Sequence, residues 1–366
     1  MFRKINQFVK HLDWFLLGPI IVLLCLSLAE IYSISLGQAG GDFLFFYKQL
    51  SFVVIGLGLY FFLAAWDFHH FYSYAIYFYL GVILLLIAVL IFGQTVNGTR
   101  GWFYIFGLGL QPVELMKMIL LISLARYFAK VSVSGNPFKH FVVSGLLTAL
   151  PIGLILLQPD AGSATLLFII WIILIAAVGF EKKYFLAVLG GIVIISGLAW
   201  QFALQPYQRD RLTSFFRPSE TTMHYNVKQS IIAIGAGGLY GRGLGFGSQS
   251  QLKFLPEAKT DFIFAVVAEE LGFIGVLIVL GCFGLLIYRL LTLVPRVRNY
   301  FGSLILIGGV GLIFIEMFIT IGMNVGILPV IGLPLPFLSY GGSALIAHLG
   351  LLGLIQNISS RSAAKR

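Results

Sequence analysis

The sequence predicts an all-α integral membrane protein with ten transmembrane helices. Of its 366 residues, 59% are hydrophobic and only 10% are charged, whereas a soluble chain of this size carries about 25% charged residues. Its apolar residues gather into ten runs, 15–34, 49–66, 72–93, 112–128, 141–157, 161–180, 184–203, 262–288, 301–325 and 342–357. Each is near the roughly 20 residues that a helix needs to cross hydrocarbon. Barrel strands would alternate every second residue instead of staying apolar. The composition excludes a soluble hydrolase, a Rossmann enzyme and a nucleic-acid module, so the net charge of +10 has no nucleic-acid partner to serve.

The first run follows Arg3, Lys4 and Lys10, but it is too long for a signal-peptide core and lacks a small-residue cleavage site, so it reads as a span. With the N-terminus inside, the cytoplasmic segments hold fourteen Lys and Arg and the short outer connections hold only Lys48 and Arg100. This asymmetry places both termini in the cytoplasm. The connection between the seventh and eighth spans, residues 204–260, becomes a large extracytoplasmic loop. It carries Arg209, Arg211, Arg217, Lys228, Arg242, Lys253 and Lys259 against Asp210, Glu220 and Glu257. Either anionic lipid headgroups or an anionic substrate would account for that excess. No repeat or low-complexity linker interrupts residues 1–366, which read as one polytopic domain. Cys25 and Cys282 both lie in apolar runs, which excludes a disulfide framework.

Ionisable residues at membrane depth are expensive and therefore candidates for function. Here they are Glu30, Glu114, Lys117, Glu269, Glu270 and Glu316, with Asp160 and Asp261 at helix mouths. In QPVELMK (111–117), Glu114 and Lys117 are three apart on one helix face and can pair. They serve either packing alone or, with Lys117 facing a cavity, a phosphate. In QPD (158–160), Asp160 suits an N-cap and also a cavity carboxylate. NGTRGW (97–102) sets Arg100 at the outer interface. Asp261 follows SQLKFLPEAKT (250–260) where polar loop becomes apolar helix, a place where a partly desolvated general base could meet an amphiphile. Glu269 and Glu270 are expected to seek Lys or Arg from another helix. The glycine-rich stretch 235–248 fits no nucleotide-binding frame and reads as a loop folded closely on something. In LPVIGLPLPFLSYGGSA (328–344), Ser339, Tyr340 and Ser343 suggest either a hydrogen-bonding wall for a polar headgroup or a stiff connection. No histidine spacing suggests a metal site.

NGTRGW, QPVELMK, QPD, the stretch around Asp261 and LPLPFLSYGGSA resemble, in order and over almost the whole chain, the SEDS family of bacterial cell-shape, division and sporulation proteins. SQLKFLPE, the short termini and the length look more like RodA, the elongation member, than FtsW, the division member. The resemblance implies a peptidoglycan glycosyltransferase in the bacterial plasma membrane. It would polymerise lipid II, an undecaprenyl-pyrophosphate-linked donor, beside a class B penicillin-binding protein in the elongation machinery. It places the essential aspartate on Asp261, the glutamate–lysine pair on Glu114 and Lys117, and the QPD aspartate on Asp160. A divalent cation, Mg or Mn, is a family expectation. The chemistry needs one base for the acceptor hydroxyl and positive charge for the departing pyrophosphate. Lys117, Arg100, Arg209 and Arg211 are the expected cations. A flippase for the lipid-linked precursor and a noncatalytic scaffold for a transpeptidase are the alternatives.

Overall fold

The computed structural model describes residues 12–37, 43–96, 98–105, 107–131, 135–198, 209 and 222–363. Among them lie ten long helices at the ten predicted runs. They are α1 (Trp14–Leu36), α2 (Leu44–Ala65), α3 (His69–Phe92), α4 (Pro112–Lys130), α5 (Pro137–Leu156), α6 (Ala161–Val178), α7 (Lys182–Leu198), α10 (Ile263–Leu293), α11 (Tyr300–Asn324) and α12 (Gly342–Ala363). Eight are long and apolar enough to cross a bilayer by length and composition. The other two are α4, which carries Glu114, Lys117, Arg126 and Lys130, and α7, which has 17 described residues. The protein is a multi-pass membrane protein.

Helices α4, α11 and α12 occupy the centre. Nearly every side chain of α4 from Pro112 to Ala125 is buried, so its charges meet protein instead of lipid. Peripheral helices keep a lipid-facing side, and α5 buries only Ser144, Thr148, Pro151 and Ile155. Helix α12 lies against α2 because it offers small residues there. A Cβ at Gly353 would come 2.5 Å from the Tyr60 carbonyl oxygen, and close backbone approach is what associates helices where lipid supplies no hydrophobic drive.

Two connections hold structure that hydropathy missed. Residues between α3 and α4 form an antiparallel sheet of β1 (Gln94–Val96), β2 (Thr99–Ile105) and β3 (Leu108–Leu110). Val96 pairs with Thr99 and Ile105 with Leu108 across two-residue turns whose second residues, Gly98 and Gly107, have φ of 84° and 77°. Within residues 204–260, expected to be loop, lie α8 (Thr222–Gly237) and α9 (Ser248–Gln251). The contact face of α8 runs Asn226, Ser230, Ala233 and Gly237, small or polar residues at helical spacing. Ser230 Oγ donates to the Asn324 carbonyl at 2.8 Å, and a Cβ at Gly237 would strike the Ala268 carbonyl. A helix that docks through small residues leaves no apolar stripe in the sequence.

Helix α10 is broken at Gly272, whose φ of 66° and ψ of −162° are open essentially to glycine alone. The glycine-rich stretch folds into this break. Arg242 and Gly243 N–H donate to the Glu269 and Glu270 carbonyls at 3.0 and 2.9 Å, and Phe273 and Ile274 N–H donate back to Gly238 and Leu239.

Candidate functional site

Asp261 occupies the half-buried turn that feeds α10, and its backbone is fixed on both sides. Tyr340 N–H donates to the Lys259 carbonyl at 2.8 Å, Ser339 Oγ to the Thr260 carbonyl at 2.6 Å, and Asn324 Nδ2 to the Asp261 carbonyl at 2.8 Å. Three successive carbonyls are thus held by the end of α11 and the connection that follows it. The holding groups are themselves held. Ser339 Oγ accepts from Leu335 N–H at 2.8 Å; Asn324 also donates to the Thr320 carbonyl and accepts from Ala265 N–H. The Asp261 carboxylate lies along bare backbone at Gly332, where a Cβ would sit 3.6 Å from Oδ2. Two residues upstream, the Lys259 ammonium rests 3.3 Å from the centroid of the Phe45 ring, a cation–π contact that fixes it at the same turn.

Asp160 caps α6, accepting from Ser163 N–H at 2.9 Å and Ser163 Oγ at 2.8 Å. Its other neighbour is Gln111, whose Nε2 approaches Oδ2 at 3.5 Å. Gln111 N–H donates to Ser343 Oγ at 2.8 Å, in the first turn of α12. A continuous set of contacts therefore joins the starts of α6, α4, α12 and α10. Four helix N-termini gather at one end of the bundle, where their partial positive charges favour an anion. Neither α4 nor α10 is capped by the side chain of its own N-cap residue.

The predicted Glu114–Lys117 pair is present at 2.7 Å, but Lys117 does not face an open cavity. It is 1% exposed and donates a hydrogen bond of 2.7 Å to Glu316 Oε1 across to α11. Its contact with Glu114 Oε2 is ionic and misses hydrogen-bond geometry, so Glu316 is the better-aligned partner. Arg100 is exposed and spends two donors on carbonyls at the C-terminal end of α3, Ile91 in its last turn at 2.7 Å and Gly93 just beyond it at 3.1 Å. Arg209 is partly buried, its sequence neighbours fall outside the described residues, and so does Arg211. Ser339, expected to face a headgroup, is 4% exposed and turns its hydroxyl inward onto the Asp261 turn.

Glu269 and Glu270 were expected to meet Lys or Arg, but among the described residues their hydrogen bonds come from neutral donors. Glu269 accepts from Gln249 and Ser250 N–H at 2.8 and 3.2 Å, at the start of α9. Glu270 accepts from Ser33 Oγ, Gly245 N–H, Ser250 Oγ and Gln251 Nε2. Glu30, one turn below Ser33 on α1, is fully buried beside Glu270.

Sequence reasoning missed Asn324 and His348 and left Glu316 without a role. Glu316 carried a signal, an acid in a span; Asn324 and His348 belong to no motif, and only the folded contacts reveal them. Among the described residues, no group of three or more His, Cys, Asp and Glu is placed to hold a metal.

The family model for FtsW, RodA and SpoVE, described as cell cycle protein, matches residues 10–364. The chain is 35% identical to the peptidoglycan glycosyltransferase MrdB of Escherichia coli (strain K12) over 350 residues, 95% of this chain and 93% of that one. It is 33% identical to the FtsW of Geobacter sp. (strain M18) over 365 residues, 96% and 98% of the two chains. A solved chain from a peptidoglycan synthase complex that coordinates polymerization and crosslinking superposes with a TM-score of 0.81 at 31% identity, covering 96% of this chain and 98% of that one. With a match of that extent and the five motifs in order, the chain belongs to the FtsW/RodA/SpoVE family, the SEDS family.

Proposed function

We propose that this protein is a peptidoglycan glycosyltransferase that polymerises lipid II at the outer face of the bacterial plasma membrane. Its role is in cell elongation, on the likeness of SQLKFLPE to RodA, and its partner is a class B penicillin-binding transpeptidase. All ten helices span the bilayer as one domain with both termini cytoplasmic, which sets the starts of α4, α6, α10 and α12 outside.

The carrying observation is the half-buried Asp261 on a backbone clamped at three successive carbonyls, beside four helix N-termini. A general base must be held within reach of one proton, and a rigid turn supplies that. Asp261 takes the proton from the acceptor sugar hydroxyl as its oxygen attacks the anomeric carbon. The bond to pyrophosphate breaks, and undecaprenyl pyrophosphate leaves with the electron pair. With one base and no protein nucleophile the displacement is single, so the anomeric centre inverts. Helix N-termini and outer cations, among them Arg100, Arg209, Arg211 and Lys259, favour the departing charge. Asp160 fixes the start of α6 beneath it, Glu114 in the first turn of α4 holds Lys117 by an ion pair, and Lys117 lies one turn deeper. A magnesium or manganese ion is often held by one or two carboxylates plus substrate phosphates, and this mouth offers two half-buried ones, Asp160 and Asp261. Asp261 would be its protein ligand, and the ion would supply charge neutralisation.

A flippase needs a substrate site near mid-membrane formed by helices broken there. The break in α10 lies elsewhere: Glu270, two residues before it, bonds Ser33 in the last turn of α1. The test is polymerisation of lipid II by the purified protein in detergent. Glycan strands from wild type that are absent with Asp261→Asn support the polymerase. No strands from wild type, even with the transpeptidase added, would overturn it in favour of the flippase or scaffold.

A further inference from the structure

Below the outer mouth, Glu114 and Lys117 from α4, Glu316 from α11 and His348 from α12 form one buried cluster. All four are 3% exposed or less. His348 Nδ1 faces the Ala344 carbonyl at 2.6 Å, and a carbonyl can only accept, so Nδ1 carries hydrogen. Nε2 faces Glu316 Oε2, and a second proton must lie between them, since two bare lone pairs would otherwise oppose each other in a dry site. Whether the nitrogen or the oxygen holds it, the His348–Glu316 pair is neutral. Lys117 and Glu114 are likewise neutral together. Among the described residues, the charged groups that act on the pair are Lys117 and Glu114, and Phe337 meets the imidazole edge-on.

Glu316 thus has two partners, one on each oxygen, and only one is needed to balance it. We infer that His348 is a positioning residue that balances Glu316 so that Lys117 can leave it for the diphosphate of an incoming substrate. Without His348, withdrawing Lys117 would strand Glu316 as an unpaired buried anion, a costly state. With His348 in place, Lys117 exchanges Glu316 for the diphosphate while keeping its 2.7 Å ion pair with Glu114, and no buried carboxylate is left unpaired. The inference rests on the glycosyltransferase reading and adds to it a role for two residues outside the five motifs.

The test is steady-state polymerisation of lipid II by the full chain carrying His348→Gln, His348→Leu, Glu316→Gln or Glu316→Gln with His348→Leu. Glutamine at 348 keeps a donor for Glu316 but cannot carry the proton. It is expected to raise KM by at least about tenfold with kcat within about threefold, the pattern of lost substrate binding. Lowering the pH from about 8 to about 5.5, across the range where a buried acid can take up its own proton, should bring that KM back toward the wild-type value. The double variant, which has no acid left to strand, should restore KM at every pH. A purely structural pair would shift unfolding temperature and leave KM and its pH dependence unchanged. If His348→Leu does not fold, His348→Gln and the double variant decide. A wild-type KM in His348→Gln, or a double variant no better than the single, overturns the inference. Asp261→Asn run alongside separates the two levels: strands made by that variant would overturn the glycosyltransferase site itself.

Discussion

Replacing Asn324 by alanine tests whether the clamp on the Asp261 turn positions the proposed base. Asn324 is fully buried and makes three hydrogen bonds: to the Asp261 carbonyl at 2.8 Å, to the Thr320 carbonyl at 2.7 Å, and from Ala265 N–H at 3.2 Å. Two of the three groups it would abandon keep support. Ala265 N–H also reaches the Phe262 carbonyl at 3.0 Å, and Thr320 is inside a helix. At about 1 kcal/mol for a typical bond, and somewhat more where a buried group is left unmet, the loss is about 2 to 3 kcal/mol. The effect on catalysis is separate from that figure. A shift of about 1 Å in a catalytic group can cost on the order of a hundredfold, and a base acts chiefly in the transition state. Lipid II polymerisation by Asn324→Ala should therefore show kcat lower by about ten- to a hundredfold with KM within about threefold. Adding Asp261→Asn should make turnover no worse than Asp261→Asn alone. A variant that unfolds more easily in detergent yet keeps wild-type kcat would refute the positioning role.

Three further outcomes follow from contacts elsewhere. Arg100→Gln removes two bonds to the end of α3 from an exposed side chain, so unfolding should shift by about 1 kcal/mol, while a severalfold rise in KM at low salt that fades at high salt would mark Arg100 as a diphosphate cation; an unchanged KM leaves it a helix cap. Glu269→Gln removes a charged acceptor from two backbone N–H groups of α9, and hydrogen exchange at residues 249 and 250 should accelerate by about tenfold, whereas unchanged exchange would mean that α9 is held by other contacts. Asp67, between α2 and α3, is kept below the usual carboxylate range first by the His69 backbone N–H, with burial opposing and the His69 ring and Arg361 assisting. A lowered carboxylate stabilises above its unfolded pKa and loses that contribution as pH falls through the folded one. The lower unfolding temperature of Asp67→Asn should thus be full-sized at pH 5 and shrink as pH falls from about 4 through the lowered folded pKa; a gap that stays full-sized well below about pH 4 would refute the linkage.

The long helices were legible because hydrocarbon demands long apolar runs: each predicted run meets a helix, and eight of the ten are long and apolar enough to cross a bilayer. Residues 222–237 were not, because a helix that docks through Asn226, Ser230, Ala233 and Gly237 hides in a polar loop composition. Asp261, Asp160 and the Glu114–Lys117 pair were legible as charges at depth or at helix mouths. Their partners were not: the groups that hold the Asp261 turn come from positions 324, 339 and 340, more than sixty residues away in the chain. Local spacing finds i, i+3 pairs such as Glu114 and Lys117 but cannot reveal that Lys117 makes its better hydrogen bond to Glu316, 199 residues on.

Where α10 breaks bears on which chemistry the fold suits. From 273 to 293 the helix is about 31 Å long at 1.5 Å per residue, close to the roughly 30 Å of bilayer hydrocarbon. The piece before the break, Ile263 to Glu270, is therefore not needed to span, and all of it is buried by protein. It serves as a pedestal: its far end carries Asp261, and its near end is tied through Glu269 and Glu270 to the segments that fold over it. A transporter would have to move such an element between two faces of the membrane. Here Asn324 from α11, Ser339 from the following connection and Ser33 from α1 all bond to it or to the turn above it, so motion would break contacts with three separate parts of the bundle. The proposed role of Asp261 gains from that rigidity, because a base that holds still would already be placed when an acceptor hydroxyl arrives.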